Sequence, residues 1–182
     1  MYYRLDGRIT DDSLDGLISR VQELQPFEDF HLYIRGEGGE VGPAEAIISI
    51  LDNVSNTNNV TIYVYDFVIS SHFQIFFKSR VQNKVILANA HGMIHKESWE
   101  LSLVEGAGFK PHHKFMKEYI SLRDTLPELK SLVKLTPDEI KRYKANEDIW
   151  VLNERLVEML EYNKKKTLKP YITIKFELSE NN

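Results

Sequence analysis

The fold of this chain is decided by the sequence HLYIRGEGGEVGP at positions 31–43. Its apolar and aromatic start, at 31–34, predicts a buried strand, and the glycines between 36 and 42 predict a turn. Pro43 suits position N1 of a helix, where a missing N–H leaves no hydrogen bond unmade. Apolar residues then recur at helical spacing as far as Val54. These residues therefore predict a strand, a glycine turn and a helix.

The same alternation continues on both sides of this stretch. Runs of β-branched or aromatic residues predict the strands. Apolar residues at helical spacing, preceded in one case by residues that can cap a helix, predict the helices. The predicted elements are a strand at 3–9, a helix at 14–24 capped from 10–13, a strand at 60–65, a helix around 73–77 and a strand at 84–88. Strands alternating with helices favour a parallel sheet with crossover helices.

The second half of the chain is mainly helical in pattern. A long polar-rich helix is predicted at about 111–134, and Thr136-Pro137-Asp138-Glu139 has the residues of a capping box. Apolar residues at 152–160 share one side of a last helix, and residues 171–178 alternate as a strand does. Because there is no internal repeat and no linker, we predict a single domain over residues 1–182 with a helical excursion.

Composition excludes several classes of function. The 182 residues carry a net charge of −4, and no basic run is long enough to follow a nucleic-acid backbone, so we expect no nucleic-acid partner. The absence of Cys excludes disulfides, thiolate catalysis and cysteine zinc sites. No apolar run approaches a membrane span, and the first residues lack the core of a secretory signal. We expect a soluble cytoplasmic protein with no membrane contact, no metal and no cofactor.

Gly38-Gly39 is the first of three short motifs that could carry chemistry. Glycine lets the backbone turn sharply and present N–H groups to a developing oxyanion. The alternative is a plain strand-to-helix turn. The segment lacks the Gly-Lys-Ser/Thr ending of a P-loop.

Ser70 and Ser71 form the second motif, where the predicted strand at 60–65 gives way to a helix. A serine there can be a nucleophile, because the helix N-terminus favours negative charge. The alternative, which is the commoner role of a lone serine at such a position, is a simple N-cap. The chain has no Gly-x-Ser-x-Gly elbow around these serines, and the residues leave open which of the two would react.

His95 completes the set as a candidate general base after a further strand, with His72 and His91 as alternative bases. A base of this kind needs a carboxylate to fix its tautomer. Asp148, shortly before the last helix, is our candidate. The carboxylates that spacing leaves open beside it are Glu97, Asp124 and Asp138.

Together these segments resemble the proteolytic subunit of the caseinolytic (Clp) protease, a serine peptidase within the ClpP/crotonase superfamily. Residues 32–41 are similar to the family's strand ending in Ser-Pro-Gly-Gly, and Ile69-Ser70-Ser71 occupies the place of its Ala-Ser turn. Met93-Ile94-His95 matches its Met-Ile-His segment, with the histidine 25 residues after Ser70. Residues 135–150 resemble its approach to the third triad residue. The resemblance covers residues 3 to about 160.

The resemblance implies an α/β fold with the repeated β-β-α spiral core of the ClpP/crotonase type and a protruding helical handle at about 111–134. The implied roles are Ser70 as nucleophile, His95 as base, Asp148 as its orienting carboxylate, the N–H groups of Gly39 and Ser71 as oxyanion hole, and Gly38 and Glu40 as substrate-binding residues. The resemblance further implies peptide or unfolded protein substrates, homo-oligomeric rings joined through the handle, and an unfoldase ATPase as a partner.

Several departures from the family pattern affect these expectations. Bulky residues such as Ile69, His72 and Phe73 surround the serine where the family has small ones, and Gly36-Glu37 replaces Ser-Pro. The N-terminal segment that forms axial loops in the family has no counterpart, which argues against dependence on the unfoldase. The strand at 171–178 is an addition to the family pattern.

The leading hypothesis is a serine endopeptidase that works through an acyl-enzyme. One alternative is a catalytically inactive scaffold or regulatory ring subunit, which the altered surroundings of the serine favour. Another is a crotonase-like acyl-CoA enzyme, and the spacing of His95 argues against it.

Overall fold

The computed structural model describes residues 1–96 and 125–167. The elements are β1 (Tyr2–Ile9), α1 (Asp11–Gln22), β2 (Phe30–Gly39), α2 (Val41–Val54), β3 (Val60–Ile69), α3 (Ser71–Lys78), β4 (Asn83–Ile86), β5 (His91–Ile94), α4 (Leu126–Leu132), α5 (Pro137–Lys144), β6 (Ile149–Val151) and α6 (Asn153–Thr167). The predicted strand at 171–178, the handle residues 111–124, Glu97 and Asp124 lie outside the described residues. The single domain over 1–182 stays a prediction.

The strands of the described ranges form one sheet in the order β1-β2-β3-β5-β6, and β4 pairs with β3 off this path. The pairs β1–β2, β2–β3, β3–β4 and β3–β5 are parallel, whereas β6 runs antiparallel to β5. Helices α1, α2 and α3 connect successive parallel strands, because parallel neighbours need a crossover. The prediction of an α/β fold with a parallel-dominated sheet is confirmed.

One face of the sheet is buried beneath helices. Leu32 and Ile34 of β2 are fully buried, while Tyr33 between them is half-buried on the other face. Tyr63 of β3 lies beside Tyr33, and the two rings stack with centroids 4.7 Å apart. The alternation of side chains along each strand thus separates the core from an aromatic outer face.

The glycine segment differs from its prediction as a turn. β2 continues to Gly39, because β1 runs beside it and pairs Ile9 with Gly39. The N–H of Glu40 then donates to the carbonyl of Ile9 at 2.9 Å. Helix α2 starts at Val41, so Pro43 is its third residue rather than its first. Either position suits proline, since the first four N–H groups of a helix lack partners within it.

Lys84, on β4, is a buried cation. Its side chain is 6% exposed, and Nζ donates to the carbonyl of Ser79 at 2.7 Å. Nζ also lies 5.7 Å from the centroid of the Phe76 ring. Burial lowers the pKa of Lys84 to about 7, with Asp52 opposing that change and Lys164 adding to it.

We expect Lys84→Met to remove a pH dependence of stability. The folded-state pKa of about 7 lies below the ordinary value of 10.5, so unfolding takes up a proton between these values and wild-type stability rises with pH. From about pH 7.5 to about pH 9 that rise is at most about 2 kcal/mol, and methionine lacks it. Urea unfolding of both proteins at these two pH values measures the difference. Equal pH dependences would contradict the assignment.

Candidate active site

Ser70 occupies a strained turn between β3, which ends at Ile69, and α3, which begins at Ser71. Its backbone has φ 54° and ψ −117°, in the left-handed half of conformational space that residues with a Cβ rarely adopt. The N–H of Ser70 donates to the carbonyl of Met93 on β5 at 3.3 Å, and its carbonyl accepts the N–H of Gln74 at 3.0 Å. These bonds hold a geometry that is typical of nucleophiles placed between a strand and a helix.

Gly38 makes room for this turn. Its φ is +102°, and a Cβ added to it would lie 2.5 Å from the Cβ of Ser70 and 3.0 Å from Oγ. The backbone of β2 therefore approaches the serine as closely as a residue without a side chain permits. Gly38 cannot offer its own N–H to a substrate here, because that group donates to Nδ1 of His72 at 3.1 Å.

The two predicted oxyanion donors, Gly39 and Ser71, are joined by a hydrogen bond. The hydroxyl of the buried Ser71 donates to the carbonyl of Gly39 at 2.9 Å. Ser71 is the first residue of α3, so its backbone N–H has no acceptor within the helix. The structure thus brings the glycine segment to the start of the helix beside Ser70. The Ser71 hydroxyl is engaged by its hydrogen bond to Gly39, and this distinguishes Ser71 from Ser70, which the sequence left equivalent.

His95 follows β5 directly and lines the same cavity as Ser70. Met93 and Ile94 line it as well, and the remaining wall comes from α3, α4 and the end of α5. Nε2 of His95 is buried and has no hydrogen-bond partner among the residues that the structure describes. The structure therefore places Ser70 and His95 in one cavity but does not join them by a hydrogen bond.

Asp148 comes immediately before β6. Met93 pairs with Trp150 and Ile94 with Ile149, so one further step of this antiparallel register sets Asp148 opposite His95. Directly opposed residues of an antiparallel pair have Cβ atoms about 4.5–5.5 Å apart. The Asp148 carbonyl accepts a hydrogen bond from Arg142 at 2.7 Å. The side chain of Asp148 is exposed, and within the described ranges no hydrogen bond or ion pair joins it to His95.

The alternative residues lie in other surroundings. His72 is fully buried, and burial lowers the pKa of its imidazole to about 4. His91 lies between the rings of Phe67 and Trp150, with centroids 6.0 Å and 5.9 Å away. Asp138 is in the first turn of α5, where a carboxylate favours the helix N-terminus. None of these three alternatives is among the described residues that line the cavity shared by Ser70 and His95, and neither is Asp148.

Sequence reasoning missed a charged cluster in the cavity wall. Nζ of Lys78 lies 2.6 Å from Glu45 and 2.9 Å from Glu128. Burial alone would lower the pKa of Lys78, but the two carboxylates outweigh it and raise that pKa. Lys78 could have been suspected, since Gln74 and Lys78 follow Ser70 at intervals of four along α3. Its partner Glu128 lies too far along the chain for any spacing rule.

Three comparisons with known proteins bear on this site. A model of the Clp protease family matches residues 4–122. No curated protein matches the chain. Among solved structures, an asparagine-to-aspartate variant of ClpP1 from Listeria monocytogenes matches with a TM-score of 0.65 and 17% identity, over 87% of this chain and 86% of that one. At this identity the likeness concerns the fold.

Within residues 1–96 and 125–167, no group of three or more His, Asp or Glu side chains is arranged to hold a metal ion. In the same part of the chain, no helix is both long and apolar enough to cross a membrane.

Proposed function

Because the chain belongs to the Clp protease family, we propose that it is a serine endopeptidase with Ser70 as nucleophile, His95 as general base and Asp148 as the carboxylate that orients the base. The observation that carries this proposal is the strained turn that presents Ser70 to a cavity shared with His95. A non-glycine residue at φ 54° persists only where its surroundings impose it, and such strain is concentrated at functional sites.

The proposed reaction gives each of these groups one role. Oγ of Ser70 attacks the carbonyl carbon of the scissile peptide bond while Nε2 of His95 takes its proton. The N–H groups of Gly39 and Ser71 stabilise the resulting oxyanion. His95 returns the proton to the leaving amine, which departs as the C–N bond breaks. Water, activated by the same imidazole, then attacks the acyl-enzyme and releases Ser70.

Ser70 is favoured over Ser71 by what each hydroxyl does. The Ser71 hydroxyl donates to Gly39 and is buried, whereas Ser70 lines the cavity. His95 is favoured over His72 for a similar reason, since Nδ1 of His72 already accepts a hydrogen bond from Gly38. Asp148 is favoured over Asp138 by the antiparallel register that carries it toward His95.

Ser70, His95 and Asp148 are not hydrogen-bonded to one another, and this describes a resting site. Catalytic hydrogen bonds commonly tighten only when substrate is bound. We propose that peptides or unfolded polypeptides are the substrates and that the subunits assemble into homo-oligomeric rings, on the basis of family membership. Engagement of an unfoldase ATPase stays a prediction.

The lack of hydrogen bonds among Ser70, His95 and Asp148 also favours a second candidate, a catalytically inactive ring subunit. A fluorophosphonate probe discriminates between the two, because it reacts with an activated serine. We expect the wild-type protein to be labelled and mass spectrometry to locate the adduct on Ser70. Ser19→Ala is the matched control, since the exposed Ser19 hydroxyl donates to the carbonyl of Asp15 within α1. A wild-type protein without an adduct on Ser70 would overturn the peptidase proposal and support the inactive subunit.

His95→Ala tests the base in the same assay. General-base assistance is worth about 10²–10⁴-fold, so labelling should slow by at least about 100-fold. Labelling at the wild-type rate would exclude His95 as the base.

A further inference from the structure

His72 lies beneath the glycine segment of β2 rather than in the cavity. It is the second residue of α3 and is fully buried. Its Nδ1 accepts the N–H of Gly38 at 3.1 Å. A Cβ added to Gly36 would lie 2.4 Å from Cε1 and 2.8 Å from Nε2 of the same ring. The imidazole therefore packs along the glycine segment from Gly36 to Gly38.

The hydrogen bond determines the state of the ring. A nitrogen that accepts an N–H carries no proton of its own, so the neutral ring must carry its proton on Nε2. Within the described ranges that atom is buried and forms no close hydrogen bond, although an interaction with the backbone of Leu5 acts to raise the pKa of the ring. A second proton, on Nδ1, would point at the N–H of Gly38 and remove the acceptor that this group needs. Burial independently disfavours the charged form and lowers the pKa of His72 to about 4.

The bond supplies an acceptor where pairing between β2 and β3 ends, although β1 continues to pair with Gly38 and Gly39. The last pair between β2 and β3 joins Gly36 and Val68, so Gly38 has no partner on β3. Its N–H is buried beside Ser70, and His72 is the acceptor that it finds. A buried N–H without an acceptor is strongly disfavoured, and the peptide would rotate to find another. Glycine offers little resistance to such a rotation.

Two consecutive side chains after Ser70 thus hold two consecutive residues of β2. Ser71 donates to the carbonyl of Gly39, and His72 accepts from the N–H of Gly38. Both bonds run from the first turn of the helix that Ser70 precedes. They fix the glycine segment relative to Ser70, independently of the cavity and of His95.

We infer that His72 is a positioning residue, which holds the peptide of Gly38 so that the neighbouring Gly39 N–H is aimed at the oxyanion formed on Ser70. The inference rests on the proposed function. His72 touches neither substrate nor nucleophile in this role. Because an oxyanion donor acts in the transition state and not on the bound substrate, loss of its alignment lowers kcat and leaves KM nearly unchanged.

Three substitutions of His72 separate the acceptor from the bulk of the ring. In His72→Asn the side-chain oxygen takes the place of Nδ1 and can accept from Gly38. In His72→Gln the oxygen reaches further, toward the place of Nε2, and His72→Leu has no acceptor. We expect kcat for a fluorogenic peptide to fall by about 10–100-fold in the glutamine and leucine variants. The asparagine variant should stay within about fivefold of wild type, with KM little changed throughout.

Hydrogen exchange read by mass spectrometry gives a second readout that does not depend on activity. Backbone amides in a peptide covering residues 36–40 should exchange at least about tenfold faster in His72→Leu and His72→Gln than in wild type. They should exchange at the wild-type rate in His72→Asn. If wild type is inactive while exchange follows this pattern, the peptidase proposal fails and the bond to Gly38 stands.

The inference itself is overturned by any of three results. The first is unchanged exchange at residues 36–40 in His72→Leu. The second is an asparagine variant as impaired as the leucine variant. The third is a loss of activity that falls on KM and not on kcat. If His72→Leu does not fold, His72→Gln and His72→Asn are compared with each other, because they have the same functional group and differ only in its reach.

Discussion

Ser70→Ala is expected to lower kcat for peptide hydrolysis by at least about 10⁴-fold, leaving the residual rate that substrate binding and the oxyanion donors provide. Oγ of Ser70 is the atom that forms the acyl-enzyme in the proposed reaction, and alanine has no replacement for it. The buried Ser71 hydroxyl cannot substitute, because it is bonded to the carbonyl of Gly39 at 2.9 Å. Hydrolysis of a fluorogenic peptide at saturating concentration measures the effect.

The same substitution should leave the fold intact, which separates lost chemistry from lost structure. Alanine keeps the Cβ of Ser70, so the cost of φ 54° is the same in both proteins. We therefore expect the midpoint of thermal unfolding to be unchanged. Ser19→Ala, on the surface of α1, should match wild type in both measurements. Retention of peptidase activity by Ser70→Ala would refute the assignment of the nucleophile.

Gly39→Ala is expected to destabilise the protein by at least about 3 kcal/mol and to reduce the yield of folded protein. Its φ is +145°, and an added Cβ would lie 2.2 Å from the carbonyl oxygen and 2.5 Å from the nitrogen of Ile9. Both are backbone atoms at the end of β1, the edge strand that pairs with β2, so neither can move without breaking that pairing. Urea unfolding followed by circular dichroism measures the loss.

Two other glycines provide matched controls for this substitution. Gly7 has φ +82° but open space around an added Cβ, so Gly7→Ala tests strain alone, at about 1–2 kcal/mol. Gly42 has open space and an ordinary φ in the first turn of α2, so Gly42→Ala should be neutral or stabilising by up to about 1 kcal/mol. Gly39→Ala with the stability of Gly42→Ala would contradict the contact with Ile9.

The fold could be predicted wherever the signal was local. The β-branched run from Val60 to Tyr65 marked β3 correctly, but the strand continues to Ile69 past Asp66, which adopts φ 62°. Strand propensity does not anticipate such an irregularity. The glycine segment was interpreted as a turn because its extended form depends on pairing with Ile9, about thirty residues earlier in the sequence. Pairing partners so distant leave no mark in the composition of a short stretch.

The candidate site was predictable to the extent that topology alone creates it. In a parallel sheet the carboxyl ends of neighbouring strands meet at one edge. Motifs at the ends of β2, β3 and β5 must therefore approach one another, which is why Gly39, Ser70 and His95 could be grouped from their order. Individual side-chain contacts could not be predicted from the sequence. That His72 accepts from Gly38 rather than serving as a base depends on which way one buried ring points.

The two halves of the site are anchored very differently. Ser71 and His72 bind the start of α3, which follows Ser70, to the glycine segment through two hydrogen bonds, so the nucleophile and the glycine segment are held together. His95 depends instead on β5, which joins the main sheet through three pairs of residues, Phe67–Ile69 against His91–Met93, and bears on its far side the short strand next to Asp148. In the proposed peptidase, a change in the distance between Ser70 and the His95 imidazole would therefore come from the β5–β6 pair, because the glycine segment is held beside the serine.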